Sequence, residues 1–539
     1  MKTVFIALIC LPLSLSIFAS DIDRPKLVLQ LTVDQLRPDL IERYKDRFVD
    51  NGFNYLLNNG VSFSNAQHPH AVTETIVGHT SLATGATPSI HGMISNRWYD
   101  QENEQMVYSC SDPTVKLIGA TGEGQSPANI RVDSFSDHLI QSLPGARAFA
   151  VSVKDRGAIP LAGKKGKAWW YSKSNGRFIS SSYYYQNTPK WVKAWNKSNP
   201  TKAYDQRYWK LLNDKKSYVN AKHDDRHWEN NPYALGRTFP HYYGKQSALG
   251  FYPRLSYSPA GDELTSKFSQ ALIDNEQLGQ QKQTDYLAIS FSSADYIGHQ
   301  FGPNSLEAED NILRLDRVLA ELLNHIDKSI GLENTLIVLS SDHGVADNPN
   351  DPEAKKKQAR FLNIDQKTLE AHLNPIKQQH KISGPLIKIF NSSQVYLRPD
   401  IYQSNIYKRL AFEKELALSL AEIDGIDSAY SYKAINMKQA TGIERAIGLN
   451  DASGRSGDIH LVFEKHAFNQ SPGYVVSANH GSVWDYDTHI PLIFVSPLLK
   501  PKTNTTRVES IDVAPTLAKL LKLPKLNKAS GQALFELSH

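Results

Sequence analysis

The arrangement of apolar runs and polar residues predicts an α/β protein: a large, mostly parallel central sheet, flanking helices and inserted cap regions. Three observations carry that prediction. Short β-rich apolar runs recur along the chain, continuous rather than alternating, as strands buried on both faces require. Segments of helical apolar periodicity lie between them, the pattern of a sheet wound with helices. The runs also end on charged or histidine side chains, at the edge where open α/β sheets bind ligands.

The elements follow in order. LVLQLTV (Leu27–Val33) stops at Asp34, and AFAVSV (Ala148–Val153) runs into Lys154, Asp155 and Arg156. YLAISF (Tyr286–Phe291) precedes Asp295 and His299, TLIVLSS (Thr335–Ser341) enters Asp342-His343, and PLIFVS (Pro491–Ser496) follows His489. The clearest helix spans Glu307–Asp327, where Ile312, Leu315, Leu319, Leu322, Leu323 and Ile326 form one stripe. Two stretches read as insertions into a catalytic domain spanning residues 21–539. Residues 160–260 are crowded with aromatics such as Trp169, Trp170, Trp191 and Trp209. They suggest a cap over the ligand-binding edge or, equally, a surface excursion with its own core. The second insertion, residues 350–440, opens on the solvated run NDPEAKKKQAR.

Composition removes several function classes. Of 539 residues, 40% are hydrophobic and 21% charged, which excludes a disordered or polytopic membrane chain. The net charge of +5 gives no reason to expect a nucleic-acid partner. Residues 1–20 read as a signal peptide: Lys2, an apolar core too short to span a bilayer, and cleavage near Ala19 or Ser20. Cys10 would leave with it, so Cys110 has no partner for an internal disulfide. The expectation is a bacterial periplasmic or secreted protein, a monomer, with no stable membrane association once the signal is removed.

The polar residues after the runs carry the chemistry. One Asp at a strand end is commonly a helix cap. Three Asp and three His at comparable ends instead supply the ligands of two catalytic zinc sites, each with an open position. Asp295 and His299 are four apart and face one way across a helical turn. TETIVGHTSLATGATPSIHGMISN (Thr73–Asn96) places Thr75 where a helix begins and leaves through Gly85 and Pro88. A hydroxyl at a helix N-terminus meets free N–H groups and a dipole that favours an anion. A threonine nucleophile further needs a base or metal. Lys154 and Arg156, two apart on an extended segment, would project to one side.

With these motifs the sequence resembles the alkaline phosphatase superfamily, and most closely its phosphate-irrepressible branch of periplasmic phosphatases with a threonine nucleophile. The resemblance rests on VDQLR, TETIVGHTSLATGATPSIHG, SVKDRGAI, SSADYIGH, SSDHG, YDTHIPLIF and SIDVAPTLAKLL, found in that order. It implies two Zn2+ per chain. One is held by Asp295, His299 and His489, with His480 as a competitor for the third place. The other is held by Asp34, Asp342 and His343, beside Thr75 as nucleophile and metal neighbour; Thr73 is the alternative nucleophile. Asn96, Lys154 and Arg156 would hold the phosphoryl oxygens, while His79 reads as a packing residue.

The function expected is hydrolysis of small phosphate monoesters through a covalent phosphothreonine. The nearest rival is a phosphodiesterase or nucleotide pyrophosphatase of the same superfamily, which would not be expected to carry the Lys154/Arg156 pair. A sulfatase would need a C/S-x-P-x-R motif, and Cys110-Ser-Asp-Pro-Thr does not fit. A non-catalytic metal-stabilised binding protein would show a broken ligand set.

Overall fold

The computed structural model describes residues 24–222, 224–402, 406–470 and 476–536. The expected signal peptide lies outside them. A twelve-stranded sheet runs through the molecule. Its middle strands are β1 (Leu27–Val33), β2 (Gly60–Gln67), β3 (Ala148–Ser152), β4 (Lys167–Tyr171), β5 (Asp285–Phe291), β6 (Thr335–Ser340) and β7 (His489–Val495). Their spatial order is β2–β7–β6–β1–β5–β3–β4. From β6 to β4 every pairing is parallel. β7 runs antiparallel to both β6 and β2. The α/β architecture read from the sequence is the one observed.

Continuous apolar runs form these strands because both faces are covered. Leu29, Leu31 and Val33 enter one core, and Val28 enters the other on the opposite face. Gln30, buried in the same strand, accepts a hydrogen bond from the Tyr286 hydroxyl at 2.9 Å, so its polar group is satisfied. Four helices matter for the site: α1 (Thr75–Thr84), α2 (Asp155–Ala162), α3 (Ser293–Phe301) and α4 (Leu306–Ser329). The stripe expected on α4 is buried throughout and belongs to the first core. Burying each such Leu or Ile contributes about 1.5–3 kcal/mol.

α1 is packed into the second core, with all its residues buried. Gly78 permits this, because a Cβ there would lie 1.9 Å from the Asp342 carbonyl oxygen. Gly85 ends the helix in the left-handed region at φ 66°, its N–H donating to Ser81 O.

The aromatic-rich stretch requires correction. Trp169 and Trp170 lie in β4, inside the central sheet rather than in an insertion. Trp169, Trp191 and Trp195 surround Phe268 in the first core. The Trp209 indole donates to Asp310 of α4 at 2.6 Å. The aromatics therefore pack mainly onto the sheet's own core; the described part of residues 160–260 lines a cavity beside Lys154 through residues 170–174, but not the cavity that holds Thr75.

That cavity is covered from the other insertion. An antiparallel sheet is built from Ile387–Asn391, Gln394–Leu397, Ile459–Phe463 and Ile426–Ser431, in that spatial order. Leu369, Leu386, Leu416, Leu420 and Leu461 give it a separate core. The module extends past the expected boundary at 440, because the strand Ile459–Phe463 pairs with both Gln394–Leu397 and Ile426–Ser431.

Candidate active site

Parallel strands put their carboxyl ends on one edge, and the chemistry gathers there. Asp34 follows β1, Lys154 and Arg156 follow β3, Asp295 and His299 stand on α3 after β5, and Asp342-His343 follow β6. Asp34, Lys154, Asp295, Asp342 and His343 are all buried. The Lys154 ammonium lies 2.7 Å from Asp34 Oδ2 and 2.5 Å from Asp295 Oδ2, and 3.4 Å from Thr75 Oγ1. Thr75 is the first residue of α1, and its hydroxyl sits at that helix N-terminus.

Lys154 and Arg156 have different partners. Lys154 precedes α2 in extended conformation, whereas Arg156 already lies in its first turn. Lys154 points at the buried carboxylates, while Arg156 lines the cavity and forms no ion pair among the described residues. The helix begins between them, so an extended-segment spacing does not describe the pair, yet both side chains reach the site that holds Thr75.

Asn96 is anchored on both its backbone and its side chain. Its N–H donates to Glu74 Oε2 at 2.6 Å, and its Oδ1 accepts from Ile76 N–H at 3.2 Å. That leaves the amide NH2 for the cavity, which Asn96 lines. Ser95 reinforces the arrangement by donating to both Glu74 carboxylate oxygens.

The histidines decide whether the cluster fits a metal. Nδ1 of His299 donates to Ala478 O at 2.8 Å, Nδ1 of His480 to Thr73 O at 2.7 Å, and Nδ1 of His343 to Gly344 O at 2.9 Å. Each carbonyl accepts the Nδ1 proton in a hydrogen bond, so that the neutral ring presents its Nε2 lone pair to the cluster. His480 Nε2 lies 3.2 Å from His299 Nε2 and 3.4 Å from Asp295 Oδ1. His343 Nε2 lies 3.3 Å from Asp342 Oδ2 and 3.6 Å from Asp34 Oδ1. Asp34 Oδ1, Asp342 Oδ2 and His343 Nε2 are buried without a hydrogen-bond partner. Among the described residues two groups, sharing Asp295, have ligand atoms close enough for one ion: Asp295, His299, His480 and Asp34, Asp295, His343, with the expected Asp342 in neither. Nitrogen and carboxylate donors converging in this way suit a divalent transition metal.

His489 is not part of this cluster. Its Nε2 contacts the Ser64 carbonyl oxygen at 2.9 Å, and it pairs across β7 with Gln67 of β2. His480 takes the place expected for it. Asp487 explains how: its Oδ2 accepts from Gly481 N–H, Ser482 N–H and Ser482 Oγ, folding the loop back so that His480 reaches Asp295. Thr73, the alternative nucleophile, donates its hydroxyl to Ser482 O and takes part in the same loop. Sequence reading missed Glu74, whose signal was its place beside Thr75, and under-weighted His480.

The electrostatics show a demand for positive charge. Burial, with the neighbouring Asp342 charge, pushes the Asp34 carboxyl up to about 8 despite Lys154. Burial also opposes ionisation at Asp295 and Asp342. It is outweighed by His299 and Lys154 at Asp295, and by His343 and His79 at Asp342, so both stay below the usual carboxylate range. Burial would lower His480, but Asp295 overcomes it and pushes it up to about 9. His79 is not in the ligand groups; its Nδ1 lies 2.9 Å from Thr75 O and 3.1 Å from Asp342 Oδ2, and its Nε2 contacts Ser290 Oγ. It ties the start of α1 to the ligand segment.

A family model described as type I phosphodiesterase / nucleotide pyrophosphatase matches residues 28–482. The chain belongs to that family. Alkaline phosphatase PhoV of Synechococcus elongatus is 33% identical over 97% of this chain and 94% of its own. Alkaline phosphatase PafA of Elizabethkingia meningoseptica is 33% identical over 96% and 95%. A protein of Myroides odoratus named calcium-transporting ATPase is also 33% identical, over 99% of both chains. The crystal structure of wild-type alkaline phosphatase PafA superposes with a TM-score of 0.86 at 32% identity, covering 95% of this chain and 98% of that one. A solved PafA variant is substituted at a threonine, an asparagine, a lysine and an arginine, with the spacings of Thr75/Asn96 and Lys154/Arg156 here. The superfamily resemblance read from the motifs is borne out. Among the described residues no helix is long and apolar enough to cross a membrane.

Proposed function

We propose that the protein is an exported, zinc-dependent alkaline phosphatase, a phosphoric monoester hydrolase that releases inorganic phosphate through a covalent phosphothreonine. The observation that carries this reading is the Thr75 hydroxyl, which sits beside Lys154 Nζ at a helix N-terminus, next to two metal-competent donor groups. The near-full-length alkaline phosphatase relatives support the same enzyme class. The expected leader at residues 1–20 supports export to the periplasm or medium. All the proposed site residues come from one chain, so a monomer suffices.

Asp295, His299 and His480 would hold one ion, and Asp34 and His343 the other, joined by Asp342, whose Oδ2 lies 3.3 Å from His343 Nε2. Bound zinc would supply Lewis-acid charge for an ionised hydroxyl and for the departing oxygen. Thr75 Oγ1 attacks phosphorus as the alcohol oxygen leaves on the opposite side, so the phosphoryl group passes to Thr75. Water then attacks the same phosphorus and the Thr75–phosphate bond breaks, returning the hydroxyl and releasing phosphate. Such a transfer depends mainly on positioning and charge. The free Arg156 guanidinium donates in the fork geometry that matches phosphate. The Asn96 amide donates to a non-bridging oxygen, and Lys154 sits at the base of the site beside Thr75.

A second reading, a diesterase, is favoured by the description of the family. Arg156 speaks against it, since a diester has one of these oxygens blocked. The test uses the zinc-supplied mature protein and compares kcat/KM for an aryl phosphate with that for the matching aryl methyl diester. Monoester preference supports the proposal, and diester preference moves the enzyme to the rival branch. No turnover of either ester revives the binding-protein alternative.

A further inference from the structure

The cavity above Thr75 holds about 610 Å3, and its outer wall comes from the second insertion and the His480 loop. Phe390, Phe463, Phe468 and Trp484 supply aromatic surface on that wall. Asp365 and Glu464 supply carboxylates. Arg156 is the only lysine or arginine among the described residues lining the space. Cations exist nearby but are paired: Arg360 with Asp424 and with the wall's own Glu464, which leaves Asp365, among the described residues, as the carboxylate without a basic partner there, and Lys465 with Asp485. Neither lines the cavity.

Arg156 stands at the inner end with Thr75 and Asn96, where the phosphoryl group reacts. The alcohol portion of the ester must then occupy the outer part, which has ring surface and carboxylates but, among the described residues, no lysine or arginine. An anion placed there loses water and gains no counter-charge. An aromatic group gains face and edge contacts, and an attached ammonium meets rings and carboxylates. We infer that the enzyme selects phosphate monoesters whose leaving group is aromatic and uncharged or cationic, and discriminates against leaving groups bearing a second anionic group. The inference rests on the monoesterase reading above.

Three near-isosteric esters test it in the zinc-supplied full-length mature protein: 4-carboxamidophenyl, 4-carboxyphenyl and 4-(aminomethyl)phenyl phosphate. At about pH 8 the carboxylate is ionised and the amine is protonated. The amide ester should exceed the carboxylate ester in kcat/KM by about tenfold, the size of one unfavourable partly screened charge contact. The amine ester should at least match the amide. Asp365 accepts from Thr368 N–H at the start of a helix, so Asp365→Asn keeps a capping side chain while removing the charge. That variant should narrow the amide-to-carboxylate ratio, and Asp365→Lys should narrow it further. A wild-type ratio near one, or a ratio unmoved in both variants, overturns the inference while leaving the monoesterase intact. If none of the three esters is hydrolysed, the monoesterase reading falls and takes the inference with it.

Discussion

The parallel half of the sheet and its antiparallel margin deliver polar residues in different ways. β1, β3, β5 and β6 each end at the site, so the residues just beyond them meet: Asp34, Lys154, Asp295 and Asp342. β7 runs the other way, and the histidine at its start turns toward Ser64 on β2. The residue that joins the cluster there comes from a loop nine positions earlier, folded back by Asp487. Strand direction therefore makes the residue after a parallel strand a reliable indicator of the site. No such rule holds for an antiparallel neighbour, where loop conformation decides.

Five substitutions test that contrast, beginning with the largest effect. Thr75→Ala removes the nucleophile that α1 presents, and turnover should fall by about 10^4-fold or more. Phosphoenzyme should disappear while metal content stays near that of the wild type, which rapid-quench labelling and elemental analysis would check. Normal turnover would exclude Thr75 as nucleophile. Arg156→Ala should reduce monoester kcat/KM by about 10^2- to 10^3-fold, the scale seen when one anion donor is removed. Diester hydrolysis should fall less. Equal losses on both substrates would mean that Arg156 does not read the dianion.

The two histidines give the sharpest comparison. His480→Ala should weaken metal retention and kcat/KM by about 100-fold, at least the loss seen for metal-supporting residues. His489→Ala should change either by less than about twofold, as for a surface substitution. Metal titration after dialysis against a chelator reads both, and the reverse ranking would restore His489 as the ligand. The smallest effect concerns packing. Gly78→Ala drives a methyl into the Asp342 backbone and should cost about 2–3 kcal/mol of stability. Thermal unfolding would show it, and an unchanged midpoint would mean that α1 can shift without strain.

Much of the fold and most of the candidate site were legible from the sequence for the same reason. β1, β5 and β6 must be buried on both faces, so they appear as unbroken apolar runs, and their ends are marked by a change to Asp or His. The α4 stripe was equally plain. The aromatic stretch misled because composition does not say which core a tryptophan enters. Trp169 reads like part of an insertion until β4 is seen pairing with β3. The second module was detected, but its end was not, because the strand Ile459–Phe463 pairs with segments far earlier in the chain.

The sequence by itself determined the α/β class, the strand ends that carry Asp34, Lys154, Asp295 and Asp342-His343, and the placing of Thr75 at a helix start. These are local consequences of burial periodicity and helix termini, which act over a few residues. Only the tertiary structure decided His480 over His489, and the aromatic, cation-poor wall above Thr75. Each depends on contacts between segments tens to hundreds of residues apart, and neither spacing nor composition encodes where such segments meet.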